Sequence, residues 1–201
     1  MRRSSTFMIS SKMIASNCFN IGCGMDAGEK MLKQYRMFAD YNRWANAIVY
    51  AAASELTEAE FRENRGAFFG SLQRTLNHLL VADRVWMKRF TGTGEAPSTL
   101  DRVLHEDLPS LLGARCVEDQ RIIDWVDTLD EPSLAANFTY MPITQSIEIT
   151  QPLWAGLSHF FNHQTHHRGQ CHMTLTALGK PSLGLDLAYY LRADGKRWLD
   201  N

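Results

Sequence analysis

The sequence LSHFFNHQTHHRGQCHMTL, residues 157–175, combines the apolar period of a buried helix with five of the seven histidines of the chain. At about 100° per residue, several of its side chains fall within about 40° of one line. These core-facing side chains are Leu157, Phe161, Gln164, Arg168, Cys171 and Leu175. A glycine followed by a proline in GKP, residues 179–181, ends the pattern. We therefore predict one long helix, from about residue 152 to about residue 178, with this line against the core.

Three further segments with helical period precede this helix. They run from about residue 31 to 55, from 71 to 90 and from 108 to 129, where Pro109 stands in the first turn. Two shorter helices are also predicted. Thr57 and Glu60 form a capping box in LTEAEFREN, and LDLAYYLR, residues 185–192, lies close to the C-terminus. Four long amphipathic helices predict an all-α fold, a four-helix bundle.

One segment between the third and fourth long helices has a period of two instead of the helical period. In NFTYMPITQSIEIT, residues 137–150, Phe138 alternates with Tyr140 and Ile147 with Ile149, around a turn that contains a proline. Alternation on both sides of a turn is typical of a β-hairpin. We predict a small β-hairpin inserted before the last long helix.

Length and charge limit the classes of protein to which the chain can belong. The 201 residues are 45% hydrophobic, which suits one domain with a sizeable core. Lys and Arg number 21 against 22 Asp and Glu, so no strong positive field favours nucleic acid or an anionic membrane. No apolar run reaches the roughly 18 residues of a membrane span. Four irregularly spaced cysteines are typical of free thiols in the reducing cytoplasm.

The first 24 residues differ from the rest, because they contain several serines and no Asp or Glu. Their apolar residues are interrupted too often to form the run of about 7 to 15 that a secretory signal needs. We expect residues 1–30 to be a disordered N-terminal extension, or an upstream stretch if translation begins at Met25 or Met31. The folded domain is predicted over residues 31–201.

The histidines of the last long helix divide around its core line. His163 and His167 stand one turn apart on one flank, roughly 80° to 120° from that line. His159 and His166 point towards water, and His172 lies on the opposite flank. Two imidazoles at positions i and i+4 can converge on one metal ion. The alternative is a solvated histidine pair, which the same spacing also permits.

A third ligand for such an ion has to come from another helix. His78 on the second long helix is the candidate, since His105 stands in a loop beside acidic residues and is expected at the surface. His78 lies about 120° from the centre of its apolar stripe, and His163 and His167 are off-centre as well. A groove beside the apolar seam, open to solvent on one side, accommodates all three imidazoles.

Two charged residues stand close to the apolar lines of their helices. Asp83 and Arg168 lie within about 20° of those lines, where an isolated charge is unfavourable. A mutual ion pair would explain both, and recognition of a substrate carboxylate by Arg168 is the alternative. Cys171, one turn after His167, is predicted to be a small buried apolar residue rather than a fourth ligand.

Three stretches of the chain resemble the DinB family, part of the DinB/YfiT-like superfamily of four-helix-bundle proteins. They are YNRWAN at 41–46, SLQRTLNHLLVADRVWMKRF at 71–90 and HFFNHQTHHRGQ at 159–170. The resemblance implies a divalent metal ion, nickel or zinc, held by one histidine of the second helix and an H-x-x-x-H pair of the last. Those positions are His78, His163 and His167 here. Together with the many aromatic residues, the resemblance also implies a homodimer.

The resemblance implies a function as well, because some superfamily members are similar to thiol-dependent S-transferases or isomerases. We therefore expect a cytoplasmic S-transferase with a low-molecular-weight thiol as co-substrate and a small electrophilic molecule as substrate. A hydrolase that uses metal-bound water and a non-catalytic metal-binding stress protein are the alternatives. HQTHHRGQ has no Glu beside its histidine pair, which weakens the hydrolase in comparison with H-E-x-x-H enzymes.

Overall fold

Helices make up most of the protein, which a computed structural model describes over residues 26–200. In chain order the elements are α1 (Ala27–Ala53), α2 (Glu58–Arg62), α3 (Leu72–Thr91), α4 (Leu108–Asp127), α5 (Glu131–Ala135), β1 (Asn137–Tyr140), β2 (Ile149–Pro152), α6 (Leu153–Ala177), α7 (Leu187–Arg192) and a 3-10 turn (Lys196–Trp198). The four long helices are α1, α3, α4 and α6. Within residues 26–200, no helix is both long enough and apolar enough to cross a membrane.

The long helices pack as a four-helix bundle, which confirms the predicted fold class. α1 lies against α4 and α6, and α3 lies against the same two helices. The core line predicted for α6 is buried from Leu157 to Leu175, and Cys171 within it is fully buried. Leu80 of α3 and Leu111 of α4 are also fully buried, and they belong to the same apolar cluster as Cys171 and Leu175 of α6.

Side-chain caps determine where three of the long helices begin. Asp26, Ser71 and Asp107 each accept a hydrogen bond from a main-chain N–H at the start of α1, α3 and α4. The first helix therefore begins at Ala27 and not at residue 31, because its cap precedes the apolar pattern. Residues 1–25, on which most of the expected extension falls, lie outside the described residues.

The predicted β-hairpin is present directly before α6. β1 and β2 are antiparallel, with Phe138 opposite Gln151 and Tyr140 opposite Ile149. Ile147 is exposed and lies outside β2, which begins later than predicted. The hairpin sits closely against α6, since a Cβ added to Gly156 would lie 2.7 Å from the Phe138 ring.

The short helices form where local hydrogen bonds start them. The capping box of Thr57 and Glu60 begins α2 as predicted, and α7 lies within the predicted C-terminal segment. α5 was not predicted. Asp130 accepts a hydrogen bond of 2.9 Å from the Ser133 N–H and starts this helix, which is too short to show a period.

A buried ion pair connects α3 with α4. The Asp83 carboxylate, with no exposed side-chain surface, accepts a hydrogen bond of 2.6 Å from the Arg115 guanidinium. Arg115 also lies 3.0 Å from Asp119, one turn further along α4. The Gln164 side chain of α6 donates to Asp83 from the other side. Three helices thus share one set of polar contacts in the core.

The predicted ion pair between Asp83 and Arg168 is therefore wrong. Arg168 is buried, but its guanidinium donates to the side-chain oxygen of Asn42 on α1. Asn42 and Asn46 in turn donate to Asp119, at 3.3 Å and 2.9 Å. The helical wheel places both charges near a core line, but it contains no information on which residues of the neighbouring helices contact them.

Candidate metal centre

Three histidines from two helices converge at one side of the bundle. His78 extends from α3, and His163 and His167 extend from adjacent turns of α6. Their ring centroids are 5.3 Å apart for His78 and His163, 4.5 Å for His78 and His167, and 4.4 Å for His163 and His167. One ring nitrogen of each lies within 4.8 Å of the others. This spacing is suited to one shared metal ion.

Hydrogen bonds show which ring nitrogen of His78 and of His167 is left to bind a ligand. His78 Nδ1 lies 2.8 Å from the Leu100 carbonyl oxygen, which can only accept, so Nδ1 carries the proton and donates. His167 Nδ1 likewise donates to Gln170 Oε1 at 2.9 Å. Nε2 of each ring then keeps its lone pair. Metal-binding histidines characteristically donate their second ring N–H to a carbonyl or carboxylate in this way.

The His78 Nε2 atom is the strongest local sign of a ligand. It is buried, and no hydrogen-bond donor of the described residues reaches it. Buried polar atoms are nearly always paired, and one that is not requires an explanation. A metal ion held by the three imidazoles would supply the missing partner, so the donor set fits such an ion.

Burial keeps these imidazoles neutral. Loss of solvent lowers the pKa of His78 to about 4, and it lowers the pKa of His163 to about 3 with a further contribution from the neighbouring imidazoles. Burial also lowers the pKa of His167. The neutral imidazole is the form that binds a metal ion, so the lowered pKa values favour metal binding by this cluster.

Phe69 covers the cluster from the turn before α3. Its ring stacks on His78 with centroids 3.9 Å apart and lies 5.6 Å from the His167 ring. Phe69 and the Leu100 carbonyl were not found from the sequence, because neither an apolar cover nor a main-chain oxygen has a sequence signature. Gln170 could have been found, since it follows His167 by one helical turn.

Two cavities open beside the cluster. One, of about 420 Å³, is lined by His78, His163, Trp86, Arg89 and Tyr140 among others. The other, of about 690 Å³, is lined by Phe69, Asp101 and all three histidines. Asp101 is the one carboxylate among the described residues that line either cavity. It comes from the loop after α3 and supplies an acid that the α6 sequence lacks.

The remaining histidines lie outside the cluster. His159 and His166 are exposed, as the helical wheel predicted, although their rings lie 5.7 Å from His163 and 4.8 Å from His167. His172 accepts a hydrogen bond of 3.0 Å from the Leu183 N–H on the opposite flank. His105 is half-buried instead of exposed, because its main-chain N–H and carbonyl both bond the Asn77 side chain.

Comparisons with known proteins agree with this architecture. The model of the DinB family matches residues 31–198. The crystal structure of a DinB-like protein from Bacillus cereus ATCC 10987 superposes with a TM-score of 0.57 at 18% identity, over 73% of this chain and 94% of that one. At this identity the likeness concerns the fold alone. No curated protein matches the sequence significantly.

Proposed function

Because this chain belongs to the DinB family, we propose that His78, His163 and His167 bind one divalent metal ion, nickel or zinc. We further propose that the protein is a metal-dependent S-transferase. It would join a low-molecular-weight thiol to a small electrophilic substrate. The family supports the metal ion, and the cavities beside the histidines supply space for the two small molecules.

The buried and unpaired Nε2 atom of His78 carries the proposal. Leaving a buried polar atom without a partner costs about 1–3 kcal/mol, which a metal ion in the cluster would offset. Three neutral imidazoles are a frequent ligand set for catalytic zinc, and they leave a coordination position open. When bound, the ion would lower the pKa of a coordinated thiol or water, and so supply a nucleophile near neutral pH.

The residues around the cluster orient the imidazole rings and exclude water from one side of the site. The hydrogen bonds to Leu100 and Gln170 fix the ring orientation of His78 and His167. Phe69 shields the nitrogens from solvent on one side. The Asp101 carboxylate, exposed in the larger cavity, can accept the proton that a thiol gives up.

Asp101 also favours a second candidate function, a metal-dependent hydrolase. Hydrolysis requires a base that orients or deprotonates water, and the α6 sequence contains no acid beside its histidine pair. Asp101 brings a carboxylate to the same cavity from another element. A metal-binding protein without catalytic activity is the third candidate.

An activity screen with the zinc-loaded and the nickel-loaded protein separates the three functions. Aryl halide and epoxide electrophiles are offered with cysteine, glutathione and other bacterial thiols, and aryl esters and amides are offered without thiol. Thiol-dependent turnover that His167→Ala abolishes and His166→Ala retains supports the S-transferase. Ester or amide turnover without thiol supports the hydrolase, and no turnover with bound metal supports the non-catalytic protein.

A further inference from the structure

Arg89 on α3 is a cation without an acidic partner, and it lines the smaller cavity beside the histidines. None of the ion pairs within residues 26–200 includes it. Its guanidinium makes one hydrogen bond, of 3.2 Å, to the Met141 carbonyl. An arginine has five N–H donors, so most of its hydrogen-bonding capacity stays available to a ligand.

Two aromatic rings hold the Arg89 guanidinium in place. Its central carbon lies 4.7 Å from the Trp86 ring centroid and 4.7 Å from the Tyr140 ring centroid. Contacts of this kind orient a guanidinium but leave its positive charge unneutralised. Partial burial lowers the pKa of Arg89, and no acidic side chain among the described residues that line this cavity offsets the loss of solvent. A planar and preorganised guanidinium of this kind is suited to a carboxylate.

The cavity runs along α3, where Arg89 lies about three helical turns beyond His78, with the apolar residues Ala82 and Val85 between them. His78 and His163 line it at the metal centre, and Arg89 lines it at the other end, with Trp86 and Ile143 among the walls. The His159 ring stands between the ends, 4.9 Å from the Trp86 ring and 5.7 Å from the His163 ring. A ligand therefore has to extend past one aromatic ring to reach both. No acidic side chain of the described residues lines this cavity to repel an anion.

We propose that this cavity binds a small thiol that carries a carboxylate, with the carboxylate on Arg89 and the sulfur at the three-histidine cluster. The inference rests on the metal binding proposed above and names the chemical class of the thiol. Arg89 acts as a specificity residue, because its charge-assisted bidentate contact distinguishes an anionic thiol from a neutral thiol of the same length.

Calorimetric titration of the zinc-loaded full chain tests the inference with two matched thiols. ω-Mercaptohexanoate carries the carboxylate, and ω-mercaptohexanol has the same chain without charge. We expect the acid to bind at least about tenfold more tightly than the alcohol, as one charge-assisted contact provides. Mercaptoacetate, too short to extend past the His159 ring, should bind less tightly than mercaptohexanoate.

Substitutions at two neighbouring positions distinguish a specific contact with Arg89 from a general effect of positive charge. Arg89→Met should remove the preference for the acid, and Arg89→Lys should retain part of it. Lys88→Met is the control, because it removes the same charge from an exposed residue that lines a different cavity. Lys88→Met should leave the preference unchanged. Circular dichroism and zinc content confirm that each variant is folded and loaded.

The possible outcomes test the proposed function and this inference separately. If the wild-type protein retains neither zinc nor nickel after dialysis, the proposed function is wrong and this inference with it. Retained zinc with no binding of either thiol overturns the inference alone, as does equal affinity for the acid and the alcohol. A preference for the acid that survives Arg89→Met or disappears in Lys88→Met also overturns it.

Discussion

His78 joins the candidate metal centre to the loop that follows α3. One ring nitrogen donates to the Leu100 carbonyl of that loop, and the other is buried among the histidines. The ring thus has a fixed tautomer and a fixed direction before any ligand arrives. Residues prepared in this way contribute most to the affinity of a site, because little is lost in ordering them.

Replacing any member of the cluster should release the metal ion. We expect His78→Ala, His163→Ala and His167→Ala each to lower the affinity for zinc or nickel by more than about 100-fold. Loss of an outer hydrogen-bond partner alone lowers metal affinity by about 10- to 100-fold, and the loss of a ligand is more severe. Competition with a chromogenic chelator measures the affinity, and circular dichroism confirms that each variant is folded.

Three other histidines of α6 serve as matched controls. His159→Ala, His166→Ala and His172→Ala should keep wild-type affinity, since none of these side chains belongs to the cluster. If His166→Ala or His159→Ala lost the metal while His163→Ala kept it, the assignment of ligands on α6 would be in the wrong register.

At the scale of single elements, the hairpin packs closely on α6 because Gly156 has no side chain at the point of contact. A Cβ at Gly156 would meet the Phe138 ring at 2.7 Å and the Phe90 ring at 3.0 Å. Gly156→Ala should therefore destabilise the protein by about 1–3 kcal/mol in urea unfolding, although alanine is the better helix former.

Gly169 lies on the same helix, and for its replacement by alanine we expect the opposite change in stability. Nothing lies within 4 Å of a Cβ added at Gly169, which is exposed. Gly169→Ala should stabilise the protein by about 0.5–1 kcal/mol through helix propensity alone. Equal effects of the two substitutions would show that the Phe138 contact does not limit the space at α6.

The contact between α3 and α4 depends on a buried charge. Arg115→Met should lower the free energy of unfolding by about 3–5 kcal/mol, because the buried Asp83 and Asp119 side chains would lose the guanidinium that both contact. Glu58→Ala, which breaks an exposed pair with Arg62, should change it by less than about 1 kcal/mol. Urea unfolding of both variants measures the difference.

Local patterns account for what could be predicted from the sequence. The long helices and the hairpin follow from the periods of apolar residues, and the start of α2 from the capping box at Thr57. The pairing of Arg115 with Asp83 could not be predicted, because it depends on which helices are neighbours. The convergence of His78 on the α6 pair was anticipated from the wheel and the family motif together. The hydrogen bond from His78 to the Leu100 carbonyl could not be predicted, because a main-chain oxygen has no sequence signature.

At the scale of the whole molecule, we propose a homodimer. A groove of about 730 Å³ between α1 and α6 is lined by apolar and polar residues, and the apolar ones include Met31, Phe38 and Trp154. Trp154 is 45% exposed there, and burial of such a surface favours association. Light scattering should give twice the mass of one chain at micromolar concentration.

Substitutions on two surfaces test the position of the dimer interface. Trp154→Glu should shift the protein towards the monomer, since a charge in the groove opposes burial. Val117→Glu is the control, because Val117 is 69% exposed on α4, away from the groove. A wild-type monomer would refute the dimer, and a dimer that resists Trp154→Glu would place the interface elsewhere.

The polar contacts that cross the core also have a mechanical consequence. They join all four long helices, through Asn42 on α1, Asp83 on α3, Arg115 and Asp119 on α4, and Arg168 on α6. Sliding one helix past another would break several of these contacts at once in a medium of low dielectric constant. We therefore expect the bundle to be rigid, with slower amide exchange in the four long helices than in the loops that connect them. Motion next to the two cavities is then expected mainly in the loops at residues 93–107 and 141–148, which supply Leu100 and Ile143 to both cavities.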